Sequence, residues 1–204
     1  MKRRLILGIA ALVASGTASS ENLNIISTDY QFIIERKSGR IESCGIHISA
    51  ALQGPDSRVI GFQGSINSMY MAGRTPAIVA KAVLVAPEAD GIVHVPLYGA
   101  AYQGEDVDTF NLKQMDGESQ SRMIVAFMDE NPDEFMLLPI GAGVGYRVFL
   151  TTDPEKRDLT FKLPPIFDVE GGKKVMSDYL ACDTSASKGW ISDMEEQIKA
   201  MGPE

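Results

Sequence analysis

Cysteine and histidine are the side chains best suited to nucleophilic and metal chemistry near neutral pH. This sequence holds two of each: Cys44, Cys182, His47 and His94. A Ser-His-Asp arrangement needs one of the histidines as its base. Both read as surface-strand residues. His47 lies on the small-residue face of its segment, opposite Cys44, and His94 lies on the less apolar face of Ile92–Tyr98. A Cys-His pair fails on geometry, because Cys44 and His47 are three apart on a strand and side chains there alternate between faces. No Gly-x-Ser-x-Gly elbow occurs.

Metal and phosphate chemistry find equally little. Two histidines and two cysteines do not make a convincing zinc cluster. Glu105, Asp106 and Asp108, and then Asp129, Glu130, Asp133 and Glu134, supply oxygens without the spacing of a calcium loop. They read as solvated charge, and no metal or cofactor is expected. Gly141-Ala142-Gly143-Val144-Gly145 opens a strand rather than a helix, so it is a flexible link and not a phosphate cradle. Paired carboxylates of the glycoside-hydrolase kind stay open, since their separation depends on the fold rather than on spacing.

The two cysteines have a simpler use. On the strand Ile41–Leu52, Cys44 shares its face with Ile46, Ile48, Ala50 and Leu52. On a helix near Lys173–Asp183, Val175, Tyr179 and Cys182 recur at i, i+4 and i+7, which turns Cys182 to the core. A Cys44–Cys182 disulfide is therefore expected, fastening the end of the chain to its beginning.

The ends of the chain and its charge bound the setting. Lys2, Arg3 and Arg4 precede an uncharged apolar run, Leu5–Ala14, and small residues Ser15–Ser20, the plan of a secretory signal peptide. The run is shorter than the ~20 residues a membrane span needs. Cleavage is expected after Ser20, with Ala18 as the rival site, leaving residues 21–204 as a single β-rich domain in the periplasm or secreted. The formal net charge of −8 becomes more negative once the leader is lost. It disfavours nucleic acid, whose phosphates it would repel, and no membrane insertion is expected after cleavage.

Several segments must position whatever the protein uses. Asp29–Arg36 and the Cys44 strand form a hairpin across Lys37-Ser38-Gly39-Arg40. Gly54-Pro55-Asp56 marks the next turn. In Arg58–Tyr70, Ile60, Phe62, Ile66 and Tyr70 take one face and Gln63, Ser65 and Asn67 the other, a half-buried strand. Ala77–Val85 is apolar on both faces and reads as central. Pro96 places Ile92–Tyr98 at an edge or a strand end. Thr109–Met115 and Arg122–Met128 are further strands, the second equally readable as the end of a helix.

Asn131-Pro132-Asp133-Glu134 begins a short mid-chain helix that Pro139 stops. Val144–Thr152 and Asp158–Leu163 form a closing hairpin. The Cys182 helix follows, then a polar linker, Asp183–Gly189, and a last helix, Trp190–Met201. Its stripe of Ile191, Met194, Ile198 and Met201 has a/d spacing but only one and a half heptads, too few for a coiled coil, so it is expected to pack on the domain. The expected fold is mainly β with α additions. It is an antiparallel β-sandwich or barrel-like sheet with a short mid-chain helix and two C-terminal helices, closed by one disulfide.

One stretch stands out as a recognition surface. Tyr98, Tyr102 and Phe110 lie among glycines and acids, and aromatics on a loop held by a rigid sheet commonly bind partners. Ser68–Arg74, with Met69, Tyr70 and Met71, is a weaker second candidate. The order of hairpin, Phe161-Lys162-Leu163-Pro164 and helix is similar to the tail of small bacterial envelope proteins of the invasion-associated locus B type. Their paired-cysteine pattern is lacking here, and no residue role is carried over. The expected function is an exported, non-catalytic β-domain that binds a protein or other cell-envelope component. The alternatives are a carboxylate-based hydrolase acting on envelope glycans and a carrier that holds a small apolar ligand against the Ile60, Phe62 and Ile66 face.

Overall fold

The hairpin at the start of the large sheet shows how directly local chemistry sets this fold. Ser38 and Gly39 both have positive φ, +51° and +82°. That is the two-residue turn whose twist matches the strands it joins. It links β2 (Asn24–Lys37) to β3 (Arg40–Gln53), which pair antiparallel along nearly their whole length. The computed structural model describes residues 19–71, 73–88, 91–95, 99–102, 111–115, 118–127, 141, 143, 145–149 and 157–201.

The described strands form two sheets. The larger runs β2-β3-β4-β5-β9-β8, with β4 at Val59–Met69, β5 at Ala77–Glu88, β8 at Asn111–Met115 and β9 at Glu118–Phe127. A further strand, β6 (Gly91–Val95), pairs with the far end of β5, and Pro96 lies outside the described residues. β5 is central, as its two apolar faces predict. Residues 118–127 are strand rather than helix, antiparallel to both β5 and β8. The smaller sheet is β1-β11-β10-β7, with β1 at Ser19–Asn22, β7 at Gly99–Tyr102, β10 at Gly145–Phe149 and β11 at Arg157–Lys162. Among the described strands only β1 and β11 pair in parallel; the rest is antiparallel.

The chain passes from the small sheet to the large one at buried Leu23, whose N–H donates to the Thr160 carbonyl. The two sheets then meet through aromatics. The Phe62 ring lies 4.8 Å from Tyr146 and 5.0 Å from Phe161, centroid to centroid, in the offset and edge-on arrangements that ring quadrupoles favour. The face of Ile60, Phe62 and Ile66 is thus filled by side chains. Cys44, Ile46, Ile48, Ala50 and Leu52 all point into the core, as their alternation predicts.

The other end of the inner face is covered by α1 (Gly172–Met201). The two expected C-terminal helices are one. Asp183–Gly189 is rich in Thr, Ser and Gly, weak helix formers, yet it is helical throughout. Tertiary packing overrides propensity here: Cys182 is bonded, Ala186 is buried, and the Ser187 hydroxyl donates to the Thr184 carbonyl within the helix. The start of α1 is equally constrained. A Cβ on Gly172 would lie 1.8 Å from the Ile166 carbonyl oxygen of the short 3-10 turn Ile166–Asp168, so only glycine fits. The stripe at Ile191, Ile198 and Met201 is exposed rather than packed on the domain. The expected helix at Asn131 and the acidic groups from Glu105 to Glu134 lie outside the described residues.

Candidate binding cleft

The disulfide fixes where the helix lies. Cys44 and Cys182 are bonded with Cα atoms 5.9 Å apart, within the range the bond requires. In register, Cys44 stands opposite Ser68 on β4. The fully buried Ser68 hydroxyl lies 2.7 Å from the Tyr179 hydroxyl. Tyr70 is only 6% exposed, and its hydroxyl donates to Asp183 Oδ1 at 2.9 Å. Burial first, and then the Asp183 carboxylate, hold the Tyr70 phenol well above its ordinary range. It is therefore a fixed donor and not a base. Tyr70 is thus a packed, bonded residue and not part of the exposed recognition surface expected at Ser68–Arg74.

Beside this polar knot a cleft of about 220 Å³ opens between the β2–β3 turn and α1. Arg36, Arg40, Ile41 and Glu42 come from the hairpin, Trp190 and Asp193 from the helix, and Tyr70 from the strand end. The helix contributes small residues, Ser185, Ala186 and Gly189, and a Cβ on Gly189 would meet nothing within 4 Å. The absent side chains are what leave the space. Trp190 is held by its Nε1–H, which donates to the Arg74 carbonyl at 3.1 Å. Arg40 is held by an ion pair with Asp193. The rim therefore presents the Arg36 guanidinium, the Arg40 guanidinium already engaged by Asp193, the Glu42 carboxylate and one anchored indole. A guanidinium forks onto a carboxylate or phosphate, and an indole offers a flat apolar surface.

Of the aromatics the sequence nominated, only Tyr70, from the weaker candidate Ser68–Arg74, lines the cleft, and it does so as a buried, bonded residue. Tyr98 and Phe110 lie outside the described residues. Tyr102 is placed in the strand β7, opposite Tyr146 of β10, not in a loop. A signal for the cleft does exist in the chain: Arg36, Lys37 and Arg40 cluster at one hairpin of an otherwise acidic sequence that has a single tryptophan. The histidines behave as expected of surface strands. His47 is half-buried beside the Ser49 hydroxyl at 3.2 Å, and His94 is exposed. Among the described residues no group of three or more His, Cys, Asp or Glu side chains gathers as a metal site would, and no helix is long and apolar enough to cross a membrane.

No protein-family model, characterised protein or solved structure matches this chain. The disulfide is compatible with an extracytoplasmic location.

Proposed function

We propose that this chain is an exported, non-catalytic β-domain, periplasmic or secreted, that binds an acidic segment of a cell-envelope protein in the cleft between the β2–β3 hairpin and α1. In this reading the leader at residues 1–20 is removed and residues 21–204 act as one domain, with its two sheets as the layers of a sandwich. β1 begins at Ser19. Cleavage after Ala18 would therefore keep the whole strand, whereas cleavage after Ser20 would keep Glu21 and Asn22 of it.

The observation that carries the proposal is the convergence of Arg36, Arg40 and Trp190 on one cavity beside a disulfide. A site braced in this way loses little freedom on binding, which favours affinity. Its size selects the ligand class. At about 220 Å³ it is smaller than the ~300–1,000 Å³ pockets that enclose small molecules. A side chain or a chain end fits that space. The face proposed for an apolar ligand is occupied instead by Tyr146 and Phe161. The basic hairpin on a chain of net charge −8 would also orient an acidic partner as it approaches.

Capture from the protein's own envelope fraction tests the reading. Arg36→Ala with Arg40→Ala should weaken capture by about tenfold or more, because arginines in an interface are frequent anchors. The fold should survive, since the exposed Arg40–Asp193 pair contributes under about 1 kcal/mol. Undiminished capture by the doubly substituted protein at an unchanged denaturation midpoint would remove the cleft as the binding site.

A further inference from the structure

The helix α1 carries a second apolar stripe that its own domain leaves uncovered. Ile191, Ile198 and Met201 are 51%, 60% and 76% exposed, and residues 195–201 are all on the surface. With half-buried Met194 they repeat at intervals of three, four and three, the a/d spacing of a coiled-coil seam. Because the helix is unbroken, the seam runs back through Ser187 and Thr184 to Leu180, itself 44% exposed. Its length is then about three heptads, twice that of a helix starting at Trp190. At 3.6 residues per turn the seam sits roughly a quarter-turn around the helix from the docked stripe of Met176, Tyr179, Ala186 and Trp190. One helix can therefore dock on its sheet and use the seam at the same time.

Charge selects both occupant and direction. The e positions flanking the seam are Lys188 and Glu195, both exposed, and neither makes an ion pair among the described residues. In an antiparallel pair, e faces e and g faces g. Setting Ile191 against Met194 of a second copy puts Lys188 beside the second copy's Glu195. The twofold axis repeats that pair with the roles exchanged. The g positions, Trp190 and Gln197, then meet without charge. A parallel pair would offer Lys188 to Asp183, which Tyr70 already engages, and Glu195 to Trp190. We infer that the chain associates with a second copy of itself through antiparallel pairing of α1 along this seam. The small residues at Thr184 and Ser187 make the association weak and reversible. It shares Trp190 with the rim of the cleft but does not rest on binding there, and it stands if the cleft reading fails.

Sedimentation equilibrium of the processed protein up to about 500 µM tests it, because a self-associating protein shifts with concentration by mass action. A reversible monomer–dimer equilibrium is expected. Ile198→Asp should weaken it about tenfold or more at an unchanged thermal midpoint, since a charge on the seam is desolvated only in the dimer. At low salt, Lys188→Glu and Glu195→Lys should each weaken it by about fivefold, and the two together should return it to within about twofold, because the swap rebuilds both ion pairs. A monomer at every concentration overturns the inference. So does a dimer indifferent to Ile198→Asp, or a combined charge swap as weak as either single change.

Discussion

The two halves of α1 share one backbone and meet opposite fates. From Gly172 to Trp190 the helix turns Met176, Tyr179, Cys182 and Ala186 into the core and is bonded to β3. Beyond Asp193, which still reaches Arg40, every residue from 195 to 201 is exposed, its apolar residues included. Amphipathic spacing is present in both halves. The difference is supplied by the sheet, which offers the first half an apolar surface and a thiol. A periodic stripe thus says that a helix has a face to bury, and only the neighbouring elements say whether its own domain buries it.

The comparison breaks first at the disulfide. Cys44→Ser should cost about 2–5 kcal/mol, read from the midpoint of urea unfolding, because a cross-link over a long loop restricts the unfolded chain strongly. An unchanged midpoint would mean that packing alone holds the first half. Next, Met176→Ala should cost about 2–4 kcal/mol by the same measurement, through the lost transfer energy and the cavity left behind. A loss below about 0.5 kcal/mol there would erase the distinction between the halves, since that is the size of a surface effect.

Much of this could be read beforehand, and the failures are instructive. Cys44 to Leu52 declared its inward face by strict alternation, and Ser38-Gly39 declared its turn, because both signals are local. The helix through Asp183–Gly189 was illegible, since Ala186 and Cys182 stabilise it against the sheet while its own propensity argues for a linker. β1 was hidden in the small polar residues that follow the apolar run Leu5–Ala14, and its pairing depends on Arg157–Thr160 at the far end of the chain. The cleft was hidden for the same reason: Arg36 and Arg40 meet Trp190 and Asp193 only once α1 is docked on the large sheet.

A smaller effect sharpens the contrast at high pH. Tyr30, whose hydroxyl donates to the Pro164 carbonyl at 2.7 Å, has its phenol pushed up to about 12 by burial. The folded state thus keeps a proton that the unfolded chain releases near its ordinary value of 10.0. The contribution of Tyr30 to stability is therefore fully present below pH 10 and is lost as pH rises through about 12. Tyr70 acts in the same direction. Tyr30→Phe should flatten part of that fall in a series of unfolding curves, and it should cost about 1 kcal/mol near neutrality through the lost hydrogen bond. An identical pH profile in the variant would assign the fall to Tyr70 alone. Smallest of all, Ile198→Ala should change the unfolding midpoint of dilute protein by less than about 0.5 kcal/mol. A larger loss would show that the free half is docked after all.

The 138-residue separation of the bonded cysteines also sets a schedule. A ribosome adds about 5–20 residues per second, so Cys44 exists for roughly 7–28 seconds before Cys182 has been made. Throughout that interval the strand β3 and its neighbours can pair, while the face that α1 will cover has nothing to cover it. The parallel partner of β1 is likewise absent until Arg157–Thr160 arrive. Contacts of such long sequence separation form late and slowly. Synthesis halted between the end of β4 at Met69 and residue 182 therefore leaves an open sheet, an uncapped core and a solitary thiol.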